Sequence, residues 1–303
     1  MGDQSILDKG FSEETQPGVS GSRTVRPQDA EARFVLFRGG NVLLERSLPV
    51  RPAWISSSGM LNLGLDTRQA VLLETDVDGS QWALDVQDQA FHRVLDIASY
   101  GEFQDLHGIQ EPIDPRMWAT LSKARVLLRW NREARLCPTC GAPTCPRNGA
   151  TYRVCSSSSC GRILYPRTEP SVIVRVVFNE RILLVRKPQF PPGLRGFVAG
   201  FVEPGETLEQ AACREVKEEV GIELGQIAYL DSQPWPFPAC LMIAFEAHGR
   251  SATIHVDHRE LEAADWYTRE RVRQEAHDGR LVLPSRKSIA RRMLEAWLND
   301  QKM

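Results

Sequence analysis

The sequence predicts an α/β protein in which two strand-rich parts are separated by a cysteine-rich segment. Three observations lead there. Short apolar runs bounded by Gly, Asn and Asp begin at Arg33 and again after Pro170, the texture of strands in small sheets. Apolar residues recur at helical spacing from about Pro115 to Arg135, from Leu208 to Val220 and from about Ser285 onwards. Five of the seven cysteines fall between Cys137 and Cys160, between the two strand-rich parts.

In order, residues 1–30 are rich in Ser, Gly, Gln and acids with few large apolar groups, which predicts a disordered tail. Phe34–Phe37, Val42–Leu44 and Val71–Glu74 read as strands of a smaller α+β domain spanning 31–133. The long helix after Pro115 closes it, with Met117, Leu121, Ala124, Leu127 and Leu128 near one face. The cysteine segment occupies 134–168, and the last part 169–303. There, 171–178 and 181–186 flank Asn179-Glu180 as a hairpin. The runs 227–230, 241–245 and 253–256 read as further strands, and Ile289, Met293 and Trp297 recur every four residues in a closing helix.

At 303 residues, 42% hydrophobic and 25% charged, the composition is that of an ordinary globular protein. A net charge of −2 gives no chain-wide pull toward nucleic acid. No apolar run reaches the ~20 residues a membrane helix needs, and the first residues carry no apolar stretch of signal-peptide length. The expectation is a cytoplasmic protein.

The segment 200–222, GFVEPGETLEQAACREVKEEVGI, carries the chemistry. Thr207 with Gln210 forms a capping box, and Gly221 supplies the stop. Leu208, Ala212, Val216 and Val220 make one apolar stripe, and Glu215, Glu218 and Glu219 share an adjoining face. Like charges so placed repel by a few tenths of a kcal/mol, a conflict that a hard divalent cation removes through oxygen ligands. An acidic face offset by Arg214 and Lys217 would be the bland reading. The surrounding residues argue otherwise: Gly200, Glu206, Arg214, Glu215, Val216, Glu218, Glu219, Gly221 and Ile222 match G-x5-E-x7-R-E-U-x-E-E-x-G-U at every position. With seven fixed letters, chance gives such a match on the order of 10⁻⁹ per site.

In that segment the chain resembles the Nudix hydrolases, which cleave nucleoside diphosphates linked to another moiety. The resemblance implies a Nudix α/β/α sandwich with a mixed sheet, preceded by a zinc ribbon and the smaller N-terminal domain. It implies Mg²⁺ or Mn²⁺ held by Glu215, Glu218, Glu219, the Ala199 carbonyl and Glu260, with Glu215, Glu218 and Glu219 catalytic. Glu206 and Arg214 would pair to hold the loop–helix–loop together.

Some ten residues further on, Ser232-Gln233-Pro234-Trp235-Pro236-Phe237-Pro238-Ala239-Cys240 is stiff, and its prolines bar it from a central strand. It could pack aromatics into the core, or hold Trp235 and Phe237 out for a ligand. The run is similar to the SQPWPFPxS motif of the NADH pyrophosphatase subfamily, with Cys240 where that motif ends in Ser. A thiol donates weakly, which touches one polar contact and not the reaction class. The resemblance, covering roughly 127–296, implies hydrolysis of NADH or NAD⁺ to nicotinamide mononucleotide and AMP, and admits removal of NAD caps from RNA 5′ ends. It implies substrate contacts from Tyr165, Gln233, Pro234, Trp235, Pro236, Phe237, Pro238, Ala239, Cys240 and Ala290, and a homodimer. A dinucleotide-binding sensor or pseudoenzyme is the alternative, against which the intact glutamates stand.

Cys137-Pro-Thr-Cys140-Gly is a knuckle pattern, and Cys155-Ser-Ser-Ser-Ser-Cys160-Gly a wider second half. Four thiolates can close a tetrahedral structural zinc site, expected here from Cys137, Cys140, Cys155 and Cys160. Cys145 competes as a ligand, and free thiols are the alternative. Cys213 reads as a packing residue, and the six histidines show no ligand-like spacing.

Overall fold

A computed structural model describes residues 26–301 except 78, 89–93, 110 and 112. Most of the tail expected over 1–30 therefore lies outside the described residues. The elements are β1 (Ala32–Arg38), β2 (Asn41–Leu44), β3 (Ile55–Ser56), α1 (Ser57–Asn62), β4 (Val71–Asp76), β5 (Gly79–Asp85), α2 (Val94–Ile97), β6 (Glu102–Asp105) and α3 (Pro115–Glu133). Then come β7 (Thr144–Arg147), β8 (Tyr152–Cys155) and β9 (Ile163–Leu164). The last part holds β10 (Glu169–Phe178), β11 (Arg181–Arg186), β12 (Val198–Phe201), α4 (Leu208–Val220), β13 (Leu224–Trp235), β14 (Cys240–Gly249), β15 (Ala263–Tyr267), α5 (Arg269–His277) and α6 (Ile289–Leu298).

The first sheet runs β4-β5-β1-β2-β6, with β3 on β1, and is mixed because β1 and β5 are parallel. Successive side chains of a strand point to opposite faces, so β1 serves two cores. Phe34 and Leu36 enter one, while Val35 and Phe37 enter the other beneath α3. Trp118, Leu121, Ala124, Leu127 and Leu128 of α3 cover that second face. Asp114 caps the helix, and Pro115 occupies its first turn, where no amide partner is lost.

The last sheet runs β13-β14-β10-β11-β15, with β12 on β10, and is mixed through the parallel pair β10–β14. Val172, Val174 and Val176 of β10 face α4, while Ile173 and Val177 face the core that α6 covers. This is an α/β/α sandwich. The β10–β11 hairpin turns at Asn179 and Glu180, both at positive φ (46° and 60°), as a two-residue hairpin turn requires. A small antiparallel sheet, β7-β8-β9, lies between the two larger ones in sequence and carries Cys145 and Cys155.

Three expectations change, one of them that of Cys213, which was expected to pack and is exposed. Residues 253–256 form no strand: the His255 amide donates to the Val220 carbonyl (2.9 Å) and that of Asp257 to Glu219 (3.0 Å). The segment satisfies carbonyls that the end of α4 leaves open, so its backbone is committed to a helix rather than a sheet. Pro234 and Trp235 keep out of the central strands as expected, pairing with Leu241 and Cys240 in an outer one. That strand, β13, is the sheet's edge, where a missing amide costs no ladder bond. The closing helix begins at Ile289 with Ser288 as its cap, some four residues later than its spacing indicated.

Candidate active site

The acidic helix forms as its sequence dictates. The Thr207 side chain accepts from the Gln210 amide (3.2 Å) and the Gln210 side chain from the Thr207 amide (2.8 Å). Gly221 ends the helix at φ 71°, a left-handed conformation that favours glycine. Ala212, Val216 and Val220 are buried against β10 and β14, and that packing rotates Glu215 and Glu219 inward while Glu218 stays exposed.

Arg214 organises the rim. A guanidinium has five N–H donors, and each finds an acceptor. Nε and Nη2 hold the two Glu206 oxygens at 2.6 and 2.9 Å, and Nη1 reaches Glu215 (2.8 Å) and Glu218 (3.1 Å). Nη2 also donates to the Phe201 carbonyl (2.9 Å). Hydrogen bonding from Arg214, then from the Glu203 amide, holds the Glu206 carboxyl down at about 2. Gly200 makes room for another member of the set: a β-carbon there would force the Glu215 carboxylate out of its position.

Glu219 is the deepest acid, with its side chain 1% exposed. Burial pushes its carboxyl above the usual range; the Lys187 ammonium opposes this, and the negative charges of Glu215 and Glu260 add to it. Lys187 donates to Glu219 Oε1 (2.8 Å) and to the Ala199 carbonyl (3.1 Å), while Glu219 Oε2 is buried without a hydrogen-bond partner. Such an orphaned carboxylate oxygen is costly, and a divalent cation bound there would satisfy it. The donor set of carboxylates and one carbonyl therefore fits a hard divalent ion. Glu260 is exposed, on a turn after the segment that runs along the end of α4.

Sequence reasoning missed Lys187. Its place follows from a bridge between Val185 and Gly196, which lays the end of β11 beside the approach to β12. A single lysine ending an apolar strand was the one local signal.

The Pro/aromatic segment is drawn toward α3 and the first sheet. Trp235 and Phe237 are half-buried against the core beneath α3. Trp118 lies 5.9 Å and 6.4 Å from their ring centroids, and its indole N–H donates to the Pro234 carbonyl (3.2 Å). Arg125 stacks over Phe237 at 4.8 Å and donates to the Pro236 carbonyl (3.2 Å). Gln233, 4% exposed, ties the strand to α6, its amide donating to the Lys287 carbonyl (2.7 Å) and its oxygen accepting from the Ile289 amide (2.6 Å). Lys287 in turn donates to the carbonyls of Leu106 (2.8 Å), His107 (2.5 Å) and Ile109 (2.8 Å). Ala290 is half-buried in the core under α6, and Cys240 is buried at the start of β14.

A cleft of about 600 Å³ opens between α3, the small sheet and the far end of this segment. Trp130, Arg129, Arg167, Tyr165, Pro238 and Ala239 are among its walls. The Tyr165 side chain is exposed and packs on Tyr152 at 5.9 Å.

The sulfurs of Cys137, Cys140, Cys155 and Cys160 lie within 4.8 Å of one another, with the pairs 137–160 and 140–155 at 3.8 and 3.4 Å. Zn–S bonds of ~2.3 Å in a tetrahedron give S···S edges of ~3.8 Å, so the set fits a tetrahedral metal. Cys145 stands outside it. A backbone amide bond from Thr139 lowers the Cys137 thiol to about 6, against burial, with Cys140 assisting. At Cys155 the Ser157 amide works downward, but burial and the neighbouring thiols push the group up to about 12. Four thiolates cannot share this space without a cation between them.

A family model for the NUDIX domain matches residues 167–290, the stretch holding Ala199, the acidic helix and Glu260. The NAD-capped RNA hydrolase NUDT12 of Macaca fascicularis is 39% identical over 189 residues, 59% of this chain and 41% of that protein. Nudix hydrolase 19, chloroplastic, of Arabidopsis thaliana is 34% identical over 241 residues, 73% of this chain and 55% of that protein. The NAD-capped RNA hydrolase NudC of Stutzerimonas stutzeri is 38% identical over 197 residues, 65% of this chain and 67% of that protein. The chain thus spans less than half of NUDT12 but two thirds of NudC. At that identity and coverage, with the domain match on the sheet and helix that gather the acids, the chain belongs to the Nudix hydrolase family.

Proposed function

We propose that this protein hydrolyses the pyrophosphate bond of NADH or NAD⁺, giving AMP and nicotinamide mononucleotide in the matching reduced or oxidised form, and acts on the same linkage in NAD-capped RNA. The observation that carries the reading is the buried Glu219, with one oxygen unpartnered and the other sharing the Lys187 ammonium with the Ala199 carbonyl. Glu215, Glu219 and the Ala199 carbonyl would hold divalent ions, with Glu218 and Glu260 at the exposed edge. Mg²⁺ or Mn²⁺ there supplies Lewis acidity toward a pyrophosphate and a lowered pKa for water. The chain's own part is to orient. Arg214 fixes the carboxylates around it, the core under α4 keeps one side dry, and Glu218, the most exposed of Glu215, Glu218 and Glu219, would take a proton from an attacking water.

The names of the relatives and the cleft beside the Pro/aromatic segment support a dinucleotide. Tyr165, Pro238 and Ala239 would receive the ligand in that cleft, while Trp235 and Phe237 anchor the segment from behind. The four cysteines would hold a structural zinc.

Purified protein with Mg²⁺ or Mn²⁺ should release AMP and reduced nicotinamide mononucleotide from NADH, followed by chromatography, and lose the activity in EDTA. Rates on NADH, NAD⁺, ADP-ribose and NAD-capped RNA measured side by side rank the substrates. Absence of turnover on all four with either ion would overturn the proposal.

A further inference from the structure

Lys187 lies between two of the atoms assigned above to a divalent ion. Its ammonium donates to Glu219 Oε1 at 2.8 Å and to the Ala199 carbonyl at 3.1 Å. Its side chain is 18% exposed and that of Glu219 1%, so this is a largely desolvated pair, not a surface contact. Removing one partner of such a pair leaves the other as an uncompensated buried charge.

An ammonium and a hard divalent ion seek the same partners, negatively polarised oxygens. Here they compete for the same two lone-pair donors, and their like charges oppose joint occupancy. The remainder of the acidic rim is treated differently: Glu206, Glu215 and Glu218 are all bonded by Arg214 from the helix itself. Lys187 comes from another element, reaching in from the end of β11 on a flexible four-carbon stem. It can therefore leave toward solvent without disturbing the helix, and the Val185–Gly196 bridge holds its backbone as it does so.

We propose that Lys187 is a built-in cation that occupies the metal-free site and is displaced by the divalent ion, so that it sets how much free metal the site requires. This rests on the metal-site assignment above. While Lys187 is in place, Glu219 is neutralised and the metal-free protein remains folded. When a divalent ion binds, the side chain withdraws and its amine becomes accessible.

Two measurements without substrate test it. In the native protein, acetic anhydride labelling read by mass spectrometry should modify Lys187 several-fold more in saturating Mn²⁺ than in EDTA, with exposed Lys217 as the unchanged reference. In calorimetry, Lys187→Met should bind Mn²⁺ about tenfold more tightly, ~1.4 kcal/mol, and melt lower than wild type in EDTA. Glu219→Gln should weaken Mn²⁺ binding. If Glu219→Gln weakens binding but Lys187→Met does not tighten it, and Lys187 labelling ignores Mn²⁺, the displacement idea falls while the metal site stands. If Glu219→Gln leaves Mn²⁺ affinity untouched, both readings fall together.

Discussion

Glu206 and Arg214 meet twice, Oε1 with Nε at 2.6 Å and Oε2 with Nη2 at 2.9 Å, joining the loop before the acidic helix to the helix itself. Paired in-plane contacts of this kind give geometric specificity as well as attraction. The same guanidinium steadies Glu215 and Glu218, so the pair sets the shape of the acidic rim without needing to touch a substrate.

That bond predicts a pH dependence. The Glu206 carboxyl is held at about 2, below its ordinary 4.5. A carboxyl lowered on folding contributes stability that is fully present above its unfolded pKa and lost as pH falls through the folded one. In a metal-free buffer, the melting temperature of wild type should exceed that of Glu206→Gln at pH 7, and the gap should close between about pH 4.5 and 2. A gap that is constant down to pH 2.5 would show that the pair is not coupled to folding.

Glu219→Gln keeps shape and removes the charge a divalent ion needs. We expect kcat on NADH to fall by at least ~10²-fold, the size of loss typical when a preorganised electrostatic group is removed, with circular dichroism unchanged. Undiminished turnover at saturating Mg²⁺ would dismiss Glu219 as a ligand.

Trp235 and Phe237 spend much of their surface on Trp118, His107 and Arg125. Phe237→Ala should therefore cost about 2 kcal/mol, less than the ~3–5 of a fully buried Phe. The melting temperature should drop by several degrees, and activity on NADH and on a small pyrophosphate lacking the nicotinamide should fall together. A melting point unchanged with a tenfold loss confined to NADH would mean instead that the ring stacks on a base.

For the cysteines, metal analysis should find about one zinc per chain, and Cys140→Ser should lower both zinc content and melting temperature. Cys145→Ser, outside the sulfur cluster, should change neither. Freshly purified, reduced protein without zinc would refute the assignment.

What the sequence shows of this molecule is what local rules determine. The caps of α4, its apolar stripe, the Asn179-Glu180 hairpin turn and the cysteine spacing each depend on residues a few positions apart, and each is found where expected. The helix 269–277 escaped because RERVRQEAH buries a single side chain, Val272, and shows no stripe. Residues 253–256 resembled a strand because an extended apolar run looks the same whether its amides meet a sheet or a helix end. The long-range contacts were illegible for the same reason. Nothing near Lys187 in sequence points to Glu219, thirty-two residues on, and nothing in the Pro/aromatic run names α3 as its partner.

That last contact bears on whether the two large parts can live apart. Lys287 ties the loop before α6 to three carbonyls of the N-terminal domain, Gln233 ties that same loop to β13, and Trp235 with Phe237 is seated under α3. A fragment starting at residue 167 would keep its own sheet yet expose two aromatic rings and a lysine with no acceptors. Such a fragment should be sticky and poorly soluble when expressed alone. The first sheet and α3 thus cover a surface that the last part of the chain would otherwise leave bare.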